Sequence, residues 1–115
     1  FREAGYFTSN CHFGRWSRPG KRDFNFLAEK PFDGTDWRRR PPGRPFFSLV
    51  QFGETHRDFK RDPESPIGPG KVALPPYYPD HPLARRDFAD YIECIQVLDK
   101  NVGAVLQRLE EDGLL

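Results

Sequence analysis

The sequence predicts an α/β fold with one or two parallel strands, a long proline-rich loop and a long C-terminal helix. A short apolar run over residues 46–52 indicates a strand. All 12 prolines lie between Pro19 and Pro82, which predicts that much of the middle of the chain is extended coil. After Pro82, apolar residues three and four positions apart predict a helix over residues 82–112.

The apolar run is expected to be a strand buried on both faces, because aromatic and β-branched residues dominate it. Pro45 limits its start and Gly53 its end. A short polar tip follows and ends in His56. Open α/β sheets bind ligands just beyond the carboxyl ends of their strands. His56 is therefore a candidate functional residue, with an ordinary surface histidine as the alternative. The run itself consists of Phe46, Phe47, Leu49, Val50 and Phe52.

The first thirty residues predict a helix end, a second strand and a basic segment. Phe1–Ala4 is typical of a last helical turn, with Gly5 as its stop. Tyr6–Ser9 is then expected to be a short strand, as in the helix-to-strand steps of parallel sheets. Residues 10–30 are basic, contain several aromatic residues and include Lys21.

The basic segment has three possible interpretations, and the sequence argues against each. A phosphate loop needs four residues between its glycines and a Ser or Thr after its lysine; here five residues intervene and an arginine follows. Cys11 and His12 are adjacent, and no second ligand pair lies at a usual zinc spacing. Residues 82–115 carry four basic and seven acidic residues, and the whole chain has a net charge of +1. No nucleic acid partner is therefore expected.

A long loop and a long helix make up the second half of the chain. Residues 57–79 are rich in proline and glycine, and loops of this length in compact domains are usually functional. Asp80 or His81 is expected to cap a helix that starts at Pro82, where proline loses no hydrogen bond. Gly113 is expected to end it. The predicted apolar face comprises Phe88, Tyr91, Ile92, Ile95, Leu98, Val102, Val105, Leu106 and Leu109. Earlier in the chain, Thr35–Arg40 is expected to form one helical turn whose tryptophan packs inward.

Composition suggests an internal piece of a longer protein. The 115 residues include 11 phenylalanines, four tyrosines and two tryptophans, more than one strong strand and one strong helix can bury, and there is no methionine. The two cysteines, Cys11 and Cys94, do not make a disulfide framework, and Cys94 is expected to be a packing thiol. No apolar stretch approaches the ~20 residues that span a bilayer, so no membrane span is expected.

Several motifs follow one another along the chain. They are Pro45-Phe46-Phe47, Val72-Ala73-Leu74-Pro75-Pro76-Tyr77-Tyr78-Pro79-Asp80, Arg86-Asp87-Phe88-Ala89-Asp90-Tyr91, Leu98-Asp99-Lys100-Asn101-Val102-Gly103 and Leu109-Glu110-Glu111-Asp112-Gly113-Leu114. Together with the order of the elements, they resemble the sulfatase family of the alkaline-phosphatase-like superfamily. The resemblance covers nearly the whole chain and is most specific over residues 72–114. It implies a partial alkaline-phosphatase-like fold.

The resemblance implies roles for two residues. His56 matches the family histidine that contacts the sulfate group and assists the leaving oxygen, work that suits an imidazole because it can donate a hydrogen bond near neutral pH. Lys21 falls near the family's Lys-x-His pair, whose lysine binds sulfate oxygens as a point charge. Asp23 stands where the histidine of that pair would be, so the sequence departs from the pattern there.

The resemblance also implies parts that lie outside these residues. The family nucleophile is a formylglycine made from Cys or Ser in a Cys/Ser-x-Pro-x-Arg motif, expected upstream of Phe1. Cys11 has an arginine at the right spacing, but the motif's proline is absent and Cys11 follows the wrong strand. Calcium ligands are expected before Phe1 and after Leu115, with none in this chain. Residues 1–115 are thus expected to be an internal fragment of one sulfatase catalytic domain, incomplete at both ends and inactive alone.

The implied activity is hydrolysis of sulfate esters or sulfamates, with a sulfated small molecule or glycan as substrate. One alternative is a phosphoester or phosphonate hydrolase of the same superfamily, which would use a Thr or Ser nucleophile. Another is a non-catalytic remnant whose first 45 residues, with ten basic and five acidic side chains, bind an anionic glycan or a nucleic acid. The resemblance alone suggests a periplasmic or secreted location.

Overall fold

A three-stranded mixed sheet organises the first part of the chain in the computed structural model, which describes all residues 1–115. Its strands are β1 (Phe7–His12), β2 (Arg15–Pro19) and β3 (Phe46–Gln51). The sheet order is β2-β1-β3, with the central strand antiparallel to β2 and parallel to β3. The fold is therefore mixed α/β, and the prediction of parallel strands is confirmed.

The antiparallel strand β2 is a feature that the sequence analysis does not predict. It pairs with β1 after a tight connection at Phe13 and Gly14. Its exposed residues include Arg15 and Arg18, and Trp16 is half-buried. A mostly polar strand on the edge of a sheet lacks the alternating apolar pattern by which strands are recognised.

β3 is half-buried, so the prediction of a strand buried on both faces is wrong. Leu49, for example, is 36% exposed. β1 is the central strand of the sheet and is buried along nearly its whole length despite its polar residues. Its burial is possible because those polar groups have partners. The Ser9 hydroxyl lies 2.9 Å from the Ser48 hydroxyl, and the Thr8 N–H donates to Asp33 Oδ2 at 2.8 Å.

A 3₁₀ turn at Trp37–Arg39 lies within the predicted helical turn. The Asp36 carboxylate caps it by accepting a hydrogen bond from the Arg38 N–H at 3.0 Å. Trp37 is 1% exposed, and its ring packs against the rings of Trp16 and Phe46. The expectation that this tryptophan packs inward is confirmed.

Residues Gly53–Leu115 form a second compact unit, and Phe1–Phe52 form the first. The second unit consists of a long loop with a single 3₁₀ turn, Pro69–Lys71, followed by one helix, α1 (Pro82–Glu111). The helix is too polar to cross a bilayer, and every other helical segment is too short.

Local signals set both ends of α1 as predicted. Pro82 is at the first helical position, and the imidazole Nδ1 of His81 accepts the Leu83 N–H at 3.2 Å. At the other end Gly113 has φ 67°, a left-handed conformation that glycine adopts without a steric penalty. Its N–H donates to the Glu110 carbonyl at 2.9 Å.

The predicted apolar face of α1 is only partly covered: five of its nine residues are half-buried and four are exposed. Ile95, Val102 and Leu106 are 39%, 38% and 49% exposed. The buried side chains of α1 are those of Ala89, Glu93 and Cys94. The long loop contacts the apolar stripe through Phe59 on Tyr91 and Tyr78 on Phe88. It also makes polar contacts with Asp87, Asp90 and Glu93 of the helix.

The two cysteines are buried thiols with no disulfide between them. Cys94 is fully buried, and its Sγ lies 2.9 Å from the Tyr91 carbonyl oxygen, to which the thiol donates. Burial raises the pKa of the Cys94 thiol, and the nearby Glu54 raises it further. Cys94 is therefore a packing thiol as predicted.

Candidate functional site

The backbone of Lys21 is held by two side-chain amides near the carboxyl ends of β1 and β3. The Lys21 N–H donates to Gln51 Oε1 at 2.7 Å. The Lys21 carbonyl accepts hydrogen bonds from Asn10 Nδ2 and from Gln51 Nε2, each at 2.9 Å. Gln51 Nε2 also donates to Asn10 Oδ1 at 3.0 Å, so the two amides support each other. This amide pair fixes Lys21 at the edge where parallel sheets handle ligands.

Gly20 allows the chain to approach this amide pair. It is buried, and its N–H donates to the Asn10 carbonyl at 3.2 Å. A Cβ atom added here would lie 2.2 Å from Asn10 Oδ1 and 2.9 Å from Gln51 Cδ. Both distances are too short for non-bonded contact, so only glycine fits without displacing the amides.

Replacing Gly20 by alanine is therefore expected to destabilise the fold by about 1–3 kcal/mol, the usual range for overpacking. It should also free the Lys21 backbone, because the amides must move to admit the methyl group. Urea denaturation measures the first effect, and amide hydrogen exchange at Lys21 the second.

The control for this variant is Gly68→Ala. Gly68 has φ −70°, and an added Cβ there meets nothing within 4 Å. A change in the free energy of unfolding as small as that of Gly68→Ala would contradict the role given to Gly20.

The side chain of Lys21 is exposed. Its ammonium group is therefore available to an anion. Further cationic groups lie nearby in the chain. Arg22 and Lys30 line a cavity of about 200 Å³ that also touches Asn10, and one acidic residue, Glu29, lines it as well. An anionic ligand at this end of β1 would meet positive charge.

His56 ends a turn five residues after β3. Its N–H donates to the Gly53 carbonyl at 3.1 Å, and its imidazole is exposed with no hydrogen bond. Two residues earlier, Glu54 is 5% exposed. The Glu54 carboxylate accepts a hydrogen bond from Asn101 Nδ2 at 2.9 Å and lies 3.6 Å from Lys60 Nζ. The imidazole is thus presented by a turn whose base is tied to α1.

The loop after His56 is fastened to α1 by a row of acidic side chains at three-residue intervals. Asp87 accepts two hydrogen bonds from Arg57, one of them at 2.7 Å, and Asp90 accepts one from Arg61 at 3.0 Å. The third member of the row is Glu93. This row is not predicted from the sequence, and its members fix the start of the loop.

Glu93 is a carboxylate buried to 2% exposure. Its two oxygens accept the backbone N–H groups of Asp62 at 3.2 Å and of Ile67 at 2.8 Å. A loop of irregular structure needs such acceptors, because its buried N–H groups have no regular ladder to join. Glu93 thereby closes the segment 62–67 onto the helix.

Asp62 forms a second tie between loop and helix. It is 2% exposed, and Lys100 Nζ lies 2.9 Å from its Oδ2. The hydrogen bond from Lys100 holds the pKa of Asp62 below its ordinary value, although burial opposes the shift. In the same way, the hydrogen bonds from Arg57 lower the pKa of Asp87. Both carboxylates therefore remain ionised at neutral pH.

The two predicted site residues lie in different units, Lys21 in Phe1–Phe52 and His56 in Gly53–Leu115. The sequence prediction does not include three residues that position the backbone near these sites, namely Asn10, Gln51 and Glu93. A sequence signal exists for one of them. Glu93 is a lone carboxylate between the apolar Ile92 and Cys94, where a charge needs a partner if it is buried.

No group of three or more His, Cys, Asp or Glu side chains in the chain is arranged to hold a metal ion. Calcium binds six to eight oxygen ligands. The buried carboxylates Glu54, Asp62 and Glu93 already accept hydrogen bonds from other residues of the chain. The residues present therefore do not by themselves fit a calcium site.

Comparison with known proteins finds a relative among the sulfatases. An ulvan-active sulfatase from Formosa agariphila is 27% identical to the chain over 157 aligned positions, which cover 99% of the chain and 25% of the sulfatase. The chain thus spans about a quarter of the length of that relative. No family model matches the chain, and no solved structure matches it significantly. The comparison supports a distant relationship to a sulfatase.

Proposed function

We propose that residues 1–115 belong to a sulfuric ester hydrolase of alkaline-phosphatase-like fold. The similarity to an ulvan-active sulfatase along 99% of the chain is the observation that carries this proposal. In it, His56 and Lys21 are the residues that contact the sulfate group. Their exposure, the fixed Lys21 backbone and the anchored turn before His56 all support that assignment.

Each of the two residues has a distinct chemical task. Cleavage of a sulfate ester leaves negative charge on the departing oxygen, and the His56 imidazole donates a proton to it. The sulfate oxygens carry negative charge throughout, and the Lys21 ammonium binds them as a point charge. The amide pair Asn10 and Gln51 keeps the lysine backbone in place, which limits the entropy lost when the sulfate binds.

The remaining parts of the proposed site come from outside residues 1–115. They are the formylglycine nucleophile and the calcium ion with its ligands. The proposed substrate is a sulfated small molecule or a glycan carrying an O- or N-linked sulfate. Residues 1–115 would then be one portion of a single catalytic domain.

The protein that contains these residues should hydrolyse 4-nitrophenyl sulfate in preference to 4-nitrophenyl phosphate. The reading frame on both sides should encode Cys/Ser-x-Pro-x-Arg upstream and an Asp-His or Asp-Asn pair after Leu115. Preference for the phosphate would instead identify a phosphoester hydrolase of the same superfamily. If neither ester is turned over and the upstream motif is missing, the catalytic proposal fails.

A further inference from the structure

An aromatic pocket lies within the second unit, next to the proposed catalytic histidine in the chain. Its volume is about 320 Å³, at the lower end of the range for ligand pockets. Arg57, the residue after His56, lines it together with Asp87. Its other walls are the rings of Phe59, Tyr77, Tyr78, Phe88 and Tyr91.

The aromatic rings form a continuous chain, yet several of them remain exposed to solvent. Tyr78 connects Tyr77 to Phe88, with ring centroids 5.4 Å and 5.8 Å apart. Tyr91 continues the chain from Phe88 at 6.0 Å. The exposed fraction is 81% for Tyr77, 39% for Tyr78 and 36% for Tyr91. Such a cluster of exposed aromatic surface is characteristic of a binding site.

The charged pair in the pocket supplies both donors and an acceptor. Arg57 has five N–H donors, and the Asp87 carboxylate uses two of them. The guanidinium lies 4.6 Å from the centroid of the Phe59 ring, which holds its plane against the pocket wall. The Arg57 side chain is 64% exposed, so its other donors can reach a ligand.

A sugar ring matches this combination of groups. The C–H bonds on one face of a pyranose carry partial positive charge and pack on the negative faces of aromatic rings. Its hydroxyl groups need donors and acceptors side by side, as Arg57 and Asp87 provide. The planar fork of an arginine also suits a sulfate or carboxylate group on the sugar.

We propose that this pocket binds one pyranose ring of an acidic saccharide, with Tyr77 stacked on the ring and Arg57 bound to its anionic group. The inference rests on the proposed function, because it concerns the substrate of the proposed hydrolase. It makes that substrate a glycan and not a small aryl or alkyl sulfate. Arg57 directly follows His56 in the chain, so the pocket is lined by the residue next to the proposed catalytic histidine.

The test is calorimetric titration of the protein with a sulfated disaccharide and with its unsulfated neutral parent. Tyr77→Ala should weaken binding of both by about tenfold, the upper range for loss of one aromatic contact. Arg57→Gln should weaken binding of the sulfated disaccharide about tenfold and that of the neutral parent much less, because glutamine keeps N–H donors for the hydroxyl groups but lacks the charge that attracts the anion.

The matched control is Phe26→Ala. Phe26 is 59% exposed and stacks on Phe24 at 4.9 Å, so it resembles Tyr77 in size and exposure but lies in Phe1–Phe52. The control variant should bind both disaccharides as the unmodified protein does. Thermal denaturation of each variant shows that a loss of affinity is not a loss of folding.

The outcomes separate this inference from the proposed function. If Tyr77→Ala and Arg57→Gln bind the disaccharide as tightly as Phe26→Ala, or if the protein binds no disaccharide, the pocket inference is overturned even when 4-nitrophenyl sulfate is hydrolysed. If the two variants lose affinity in a protein that hydrolyses no sulfate ester, the saccharide site stands and the proposed hydrolase function falls.

Discussion

Replacing His56 by alanine is expected to lower kcat for sulfate ester hydrolysis by about 10²- to 10⁴-fold, the usual contribution of a positioned acid. The reason is that the imidazole is the proposed proton donor to the leaving oxygen. The loss should be larger for a sugar alkoxide than for 4-nitrophenolate, because the phenolate is stable without a proton. Steady-state kinetics with the two kinds of substrate measure both effects.

The structure makes this variant a clean test. The His56 side chain is exposed and makes no hydrogen bond, so its removal should change the free energy of unfolding by no more than about 0.5 kcal/mol. Thr55→Ala is the matched control, since it is exposed in the same turn, and it should keep kcat unchanged. A folded His56→Ala protein with unchanged kcat for both substrates would make His56 an ordinary surface histidine.

The ends of α1 could be predicted from the sequence because their causes are local. A proline at the first helical position and a glycine just past the last turn act through their own backbone geometry, whatever packs nearby. Pro82 and Gly113 accordingly stand where the sequence analysis puts them. The same holds at the N-terminus, where the Gly5 N–H donates to the Arg2 carbonyl at 2.9 Å in a turn.

Burial could not be predicted as well, because it depends on partners distant in the sequence. β1 is buried although it is polar, since Thr8 meets Asp33 and Ser9 meets Ser48 from 25 and 39 residues away. The apolar stripe of α1 could be predicted as a face, but the burial of its individual residues could not. Hydrophobic periodicity identifies an apolar face and does not identify the segments that pack on it.

In the candidate site, too, some residues could be predicted from the sequence and others could not. His56 and Lys21 stand out from motif order and residue type, both of which are present in the sequence. The side chains that fix the surroundings of His56 and Lys21 could not be identified from the sequence. Gln51 lies 30 residues from Lys21, and Asn101 lies 47 residues from Glu54. The role of an amide or carboxylate side chain can be recognised only when the fold places it beside a buried backbone group that lacks a hydrogen-bond partner.

Glu93 is the residue whose loss is expected to harm the second unit most. Glu93→Ala should lower the free energy of unfolding by about 3 kcal/mol, because two backbone N–H groups lose their acceptor and each unsatisfied buried group costs about 1–3 kcal/mol. The helix itself should tolerate the change, since alanine is the best helix former. Urea denaturation followed by circular dichroism measures the loss.

A second variant separates the two hydrogen bonds. Glu93→Gln keeps one acceptor oxygen and replaces the other by an NH₂ group that cannot accept, so about half of the destabilisation should remain. Hydrogen exchange should be faster at Asp62 or Ile67 in this variant and at both in Glu93→Ala, because segment 62–67 can then open locally.

The control is Glu110→Ala, an exposed glutamate on the same helix, which should change the free energy of unfolding by no more than about 0.5 kcal/mol. If Glu93→Ala were no less stable than Glu110→Ala and its exchange at Asp62 and Ile67 were unchanged, the carboxylate would not be what closes the loop. If the prediction holds, a buried carboxylate on α1 closes segment 62–67 of the loop that follows His56. The turn that presents the imidazole is tied to the same helix separately, through the hydrogen bond from Asn101 to Glu54.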